Sequence, residues 1–386
     1  MKKYILLILI LCIIGVAASK IHRKSNYDGG ELHEVVSKMK FDELDAEKTL
    51  YINVGIDYIP YELVELFENA TGVRVVTDIF DSNEILEAKL LAGGSRYDLV
   101  FPTAWPHFSR QLKAGIYQKI DETKIDYTTF NQSIMQKLSD HGGCNEYAVP
   151  YQFGISGIGL NEDIVDNLIP HAAKDSLAVV FNPEFAEKLS KYRISLYESP
   201  HELLPAVLAY LGLNPETENE EDIIAASKHL KKIRRHIAKF TSYGFEDLAS
   251  GNACVTLATS GDVMKVMRDN NRRRIKFFLP KEGASLWVDV VAIPVGARHL
   301  KNAYAFMNFL FHPKIIAYVT NKTYRANAVT AANNFVDDNI VKNKYIYPDD
   351  DVQKKCYVEK SLSSRIESLK TRLLTKIKSM DSEDEI

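Results

Sequence analysis

From residue 49 the chain alternates short apolar runs with stretches whose apolar positions recur at helical spacing. TLYINVG (49–55) is an apolar run of strand length. After Pro60, the residues Leu63, Val64, Leu66 and Phe67 share one helical face, and Thr71-Gly72 predicts the stop. VRVVTDIF (73–80) predicts a second strand. Asp81 and Glu84 have the spacing of a capping box for the next helix, which Gly93-Gly94 ends, and YDLVF (97–101) predicts a third strand. Strand and helix alternating with short connections predict a parallel sheet wrapped by helices. In such sheets ligands bind beyond the carboxyl ends of the strands. Two loops leave those ends, IDYIP (56–60) and PTAWP (102–106).

The alternation returns further on. ISLYESP (194–200) ends a strand and precedes a helix from His201. ACVTLATSGD (253–262) runs from a strand into a helix start, and SLWVDVVAIP (285–294) is a strand with no helical period. Helical segments follow at 300–311 and 314–320. Leu362, Ile366, Leu369, Leu373 and Ile377 define an amphipathic helix, with Lys370, Lys376 and Lys378 on a face expected to be solvated. The acidic tail 381–386 is expected to be disordered.

Composition changes this picture in three places. The net charge of −3 argues against a general nucleic-acid binder, and the basic runs 231–235 and 272–274 are interleaved with acidic segments. The first 18 residues put two lysines before an apolar run that ends at Val16 and Ala18, the pattern of a secretory signal peptide. Cleaved, it leaves an exported protein; uncleaved, it would be an anchor. Beyond it lie three cysteines, Cys144, Cys254 and Cys356, with no metal-ligand spacing, so isolated thiols are expected and no metal or cofactor. No GxSxG or GxxxxGK[ST] motif occurs. His107, His141, His201 and His312 have no acid partner evident in the sequence and read as lone surface histidines.

The strand ends carry the candidate chemistry. Residues two apart on a strand point the same way, so Trp287 and Asp289 offer an indole and a carboxylate side by side. That pair suits an organic cation, since an aromatic face attracts a cation and a carboxylate takes an ammonium. Asp57 and Tyr58 repeat it on the first loop, and Trp105, one of only two tryptophans, stands on the second. Asp262 is a third acid, or else the cap of the helix it begins.

These stretches resemble the bacterial periplasmic polyamine-binding proteins, the putrescine/spermidine-binding components of ABC transporters. The likeness runs from about Leu50 to about Lys378 and is densest in FDSNEILEAKLLAGGSRYDLVFPT. It returns at YAVPYQFGISGIGLN, FEDLASGNACVTLATSGDV, FLPKEGASLWVDVVAIP and NAYAFMNFLFHP. The resemblance implies an α/β fold of the two-lobed type II class, each lobe a mostly parallel sheet flanked by helices, joined by hinge crossings near Pro150, Ser285 and Tyr324. It assigns 48–149 plus 286–324 to lobe 1 and 150–285 plus 325–380 to lobe 2, after a polar tether at 19–47. The implied ligand contacts are Asp57 and Tyr58 (the family's DY motif), Thr103, Trp105, Glu198, His201, Asp262, Trp287, Asp289 and Arg325. Four positions depart from the family pattern. Gly55 replaces a tryptophan before the DY motif, Thr259 replaces the tryptophan of a WAGD segment, His201 stands at a pocket glutamate, and Arg325 stands at a pocket tyrosine with Tyr324 one place off.

The function implied is capture, without catalysis, of a polyamine by a monomeric periplasmic receptor that serves an ABC permease and its ATPase. Two alternatives keep the same fold: a receptor for a zwitterion such as an amino acid or aminophosphonate, its carboxylate taken by Arg325, or a membrane-anchored sensor.

Overall fold

A computed structural model describes residues 29–93, 96–270 and 274–380. The signal segment and the acidic tail lie outside the described residues. The chain falls into two compact units, residues 1–39, in which Gly29–Ser37 is helical, and residues 40–386, which contain everything that follows.

Eleven strands form one continuous sheet in the second unit. β1 (Thr49–Gly55) lies between β2 (Arg74–Phe80) and β3 (Leu99–Val100), parallel to both. The first helix, Tyr61–Thr71, buries Leu63, Val64, Leu66 and Phe67, and Gly72 closes it in the left-handed region at φ 69°. The next helix, Asn83–Leu91, is capped by Ser82, one residue later than the predicted Asp81. That shift frees Glu84 for another role.

The centre of the sheet is β4 (Ala148–Asn161), 14 residues long and almost wholly buried. Its first half, from Ala148 to Ile155, pairs antiparallel with β9 (Ala284–Ala292). Its second half, from Ser156 to Leu160, pairs antiparallel with β7 (Val255–Thr259). One strand thus belongs to two wings. β3 joins β9 on the first wing, while β5 (Ile194–Leu196) and β6 (Ile237–Phe240) extend the second in parallel from β7. β8 (Ile275–Phe278) and β10 (Ala326–Asn327) add to β4, and β11 (Cys356–Tyr357) adds to β9. An apolar core fills the second wing, and Ile366, Leu369, Leu374 and Ile377 of the helix Ser364–Lys378 belong to it. Lys370 of that helix is 4% exposed, so the expected solvated basic face is interrupted by a buried lysine. Cys144, Cys254 and Cys356 are free thiols.

Candidate functional site

All ten residues picked from the sequence line one cavity of about 520 Å³. It opens where β4 changes partners: Ser156 and Gly157 of β4, Ala258 and Thr259 of β7, and Trp287 and Asp289 of β9 all border it.

Asp289 is a deeply buried acid of the lining. It is 2% exposed and accepts hydrogen bonds from Tyr58 Oη and Thr103 Oγ1, both at 2.7 Å. Burial pushes its carboxyl above the ordinary aspartate range, against the pull of those two donors and of Arg325. Tyr58 reaches it because Gly55 leaves room. A Cβ on Gly55 would stand 2.6 Å from Tyr58 Cε2. The ring therefore fills the space that a side chain at position 55 would take. Asp57 holds the turn at φ 57°, a left-handed conformation that aspartate tolerates better than most residues.

Trp287 stands opposite Gly154 in the β4–β9 register, and a Cβ on Gly154 would lie 2.6 Å from Trp287 Cζ2. The indole packs close against the neighbouring strand because that position has no side chain. Its Nε1 has no hydrogen-bond partner. Trp105 is different. Only 3% exposed, it donates from Nε1 to the His141 carbonyl at 3.1 Å, so its edge lines the cavity while its polar atom is fixed behind the wall.

Three lysine or arginine side chains reach the lining, and each lies against one of the predicted acids. Lys265 Nζ is 3.6 Å from Asp57 Oδ2, Lys378 Nζ is 3.8 Å from Glu198 Oε2, and Arg325 Nη2 is 3.0 Å from Asp262 Oδ1. Asp262 is not the helix cap. Thr259 caps the helix Ser260–Asp269, and its hydroxyl donates to Asp262 Oδ2 at 2.7 Å. The departure at Thr259 thus exchanges an aromatic wall for a hydroxyl that orients the acid. Arg325, and not Tyr324, lines the cavity. Tyr324 takes a left-handed conformation at φ 60°, and its ring lies under Arg268, 4.8 Å from the guanidinium carbon.

Among the lining acids that form no salt bridge with a lysine or arginine are Asp289 and three the sequence reading missed, Glu84, Glu202 and Glu359; Asp81 and Glu246 are two more, both exposed. Glu202 follows His201 on the helix Pro200–Tyr210, which Ser199 caps. Half-buried and without a hydrogen-bond partner, its carboxyl is pushed up to about 8 by burial, with Glu84, Glu198 and Asp289 adding repulsion. Glu359 is raised by burial and then by Glu202, against the charge of Lys370 and a hydrogen bond from Ser285 Oγ at 3.3 Å. Glu84 accepts from Ser199 Oγ at 2.8 Å. The resemblance put a pocket glutamate at position 201. The acid stands one residue on, and the helix start at Ser199-Pro200 was the available signal for that register.

His201 borders the cavity, but its Nδ1 faces Glu367 Oε2 at 3.2 Å. Its ring meets that of His107 edge-on at 5.2 Å, and His107 Nδ1 is 3.5 Å from Glu87 Oε2. At 6% and 5% exposed, with acids beside them, these two are not the lone surface histidines expected. Burial, then the charges of His107, Lys370 and Arg110, lowers the His201 pKa well below its ordinary value. Burial opposes the charge of Glu87, yet hydrogen bonds from Arg110 and His107 bring its pKa to about 2.

A central strand shared by two wings, with a cavity where it changes partners, is the geometry of a two-lobed receptor for a small solute. The chain belongs to the bacterial extracellular solute-binding protein family, whose profile matches residues 100–355. It is 40% identical over 339 residues to the putrescine-binding periplasmic protein SpuD of Pseudomonas aeruginosa strain UCBPP-PA14, covering 86% of this chain and 92% of that one. It is 36% identical over 341 residues to the putrescine-binding periplasmic protein PotF of Escherichia coli K12, with the same coverage of 86% and 92%. Among solved structures it resembles the Tp0655 (TpPotD) lipoprotein of Treponema pallidum, with a TM-score of 0.71, 26% identity, and coverage of 85% of this chain and 99% of the other.

Proposed function

We propose that the protein captures a polyamine of the putrescine/spermidine type in this cavity and delivers it to an ABC transporter permease and its ATPase. The observation that carries this reading is the gathering of acids that form no salt bridge with a lysine or arginine, Asp289, Glu84, Glu202 and Glu359 among them, in one cavity bordered by two indoles. Buried acids without a counter-charge are costly, several kcal/mol each after relaxation (on the order of 3–5 when a partner is removed), and an organic cation relieves that cost. Trp287, Tyr58 and the edge of Trp105 supply the apolar surface that a methylene chain needs. The names of SpuD and PotF point the same way.

Lobe 1 is taken as 48–149 plus 286–324, and lobe 2 as 150–285 plus 325–380. On that division Asp289 and Tyr58 come from one lobe, Glu202 and Glu359 from the other. A cation touching both favours the closed form by its differential affinity. Asp57 and Glu198, exposed and paired with lysines, would meet the ligand at the rim, and His201 would back the wall. The 18-residue N-terminal pattern supports export to the periplasm, and binding and release as a monomer constitute the chemistry. A zwitterion fits less well, because the Arg325 fork that would take its carboxylate is engaged with Asp262.

A thermal-shift and calorimetric series of amines and amino acids tests the proposal. Putrescine or spermidine at 100 times its dissociation constant should stabilise the protein by about 2.7 kcal/mol. Silence toward every amine, with a response to an amino acid, would reject it.

A further inference from the structure

Arg325 occupies a place suited to a ligand. Asp262 Oδ1 accepts from its Nη2 at 3.0 Å, and its guanidinium carbon lies 5.0 Å from the centroid of the Tyr58 ring. A carboxylate beside an aromatic face is a constellation that holds an organic cation. Here the cation is the protein's own, and the subsite is closed by design of the chain. The Asp262 carboxyl is prepared for it by Thr259, whose hydroxyl donates to the other oxygen. The Tyr58 ring is prepared by its own hydroxyl, which is fixed on Asp289.

The backbone aims the side chain. Arg325 comes two residues after the helix Pro313–Thr323, and Tyr324 between them is in the left-handed region. Gly261 permits the approach, because a Cβ there would stand 2.2 Å from the Tyr324 carbonyl oxygen. The arginine side chain is 13% exposed, and its Nη1 is buried without a partner. Burial opposes its charge, but the attraction of Asp262, Tyr58 and Asp289 outweighs that and holds its pKa above the ordinary arginine value. Such an arginine is a permanent cation, so nothing in the ordinary pH range empties the subsite.

We infer that Arg325 determines specificity: it fills the Asp262–Tyr58 subsite with a tethered guanidinium, so the cavity accepts two ligand ammonium groups and discriminates against a third. The inference rests on the polyamine reading and narrows it to a diamine in preference to a triamine. One ammonium falls to Asp289 and the other to the Glu202–Glu359 end. A third ammonium finds Asp262 already taken by the guanidinium, and at that end of the cavity like charges repel at short range.

Calorimetry with putrescine and spermidine tests this on the wild-type protein, on Arg325→Gln and on Arg325→Gln/Asp262→Asn. The wild type should bind putrescine more tightly than spermidine. Arg325→Gln should shift the spermidine-to-putrescine affinity ratio at least about tenfold toward spermidine, the equivalent of about 1.4 kcal/mol. The double variant should lose that shift, because the freed carboxylate is gone. Tighter binding of spermidine by the wild type overturns the inference whether or not the variants fold. So does an unchanged ratio in a folded Arg325→Gln, or a shift that survives removal of Asp262. In each of these cases the polyamine reading stands. A wild type that binds neither amine removes that reading, and the inference with it.

Discussion

Tyr58 joins three parts of the site at once. Its hydroxyl fixes Asp289, its ring lies under the Arg325 guanidinium, and its carbonyl accepts from Tyr151 Oη at 2.7 Å. Asp289 depends on it, since burial raises the pKa of that acid and the Tyr58 hydrogen bond is the first of the interactions that oppose the rise. Replacing Asp289 by Asn keeps the shape and removes the charge. Amine binding should then weaken by at least about 30-fold, about 2 kcal/mol, as expected when one side of a desolvated charge pair is truncated. The melting temperature without ligand should stay near the wild-type value or rise, because a buried unpaired carboxylate is gone. Calorimetry and thermal melts read both quantities. A collapsed fold would make Asp289 a structural residue instead.

At the scale of elements, the site depends on two strands meeting without side chains between them. Trp287 lies over Gly154 because β4 offers no Cβ at that register. Gly154→Ala would put a methyl 2.6 Å from the indole. Overpacking of this kind costs about 1–3 kcal/mol and should push the indole into the cavity. Denaturant unfolding should register the loss of stability and calorimetry a weaker grip on the amine. Wild-type values for both would mean that the indole has room to spare. The helix Pro200–Tyr210 makes a second contribution of this kind. Its Ser199 cap sets which of its early residues face the cavity, and the outcome is Glu202 beside a histidine directed toward Glu367.

For the whole molecule, acids held near one another without cations make stability and binding depend on pH together. Glu202 has its folded pKa raised to about 8 from an ordinary value near 4.5. The folded state therefore binds more protons than the unfolded state across that interval, and the stability this group contributes is lost as pH rises through it. His201 acts on the acid side: its pKa is lowered, so the unfolded state takes up its proton first, and stability falls as pH drops below the ordinary histidine range. Denaturant unfolding of the ligand-free protein between pH 5 and 8 should show the alkaline decline, and Glu202→Gln should flatten it. An amine favours the ionised carboxylate, so its binding near neutral pH should release protons and strengthen toward pH 8 (a window set by the same group). Calorimetry in buffers of different ionisation heat counts the protons; a heat independent of buffer would reject the linkage.

The sequence by itself determined many of the elements, though not the central β4, and ten residues of the lining. Periodicity placed β1, β2, β7, β9 and their helices, because side-chain spacing is a local property of strands and helices. It also brought Trp287 and Asp289 to one cavity, since alternation along a strand needs no tertiary knowledge. Tertiary structure decided the charge. Asp57, Glu198 and Asp262 met Lys265, Lys378 and Arg325 from distant parts of the chain, while Glu84, Glu202 and Glu359 formed no salt bridge with a lysine or arginine. It also turned His107 and His201 inward and buried Lys370. Neutralisation depends on which side chains come within a few ångströms after folding. No spacing along one segment carries that information, because the partner lies on another.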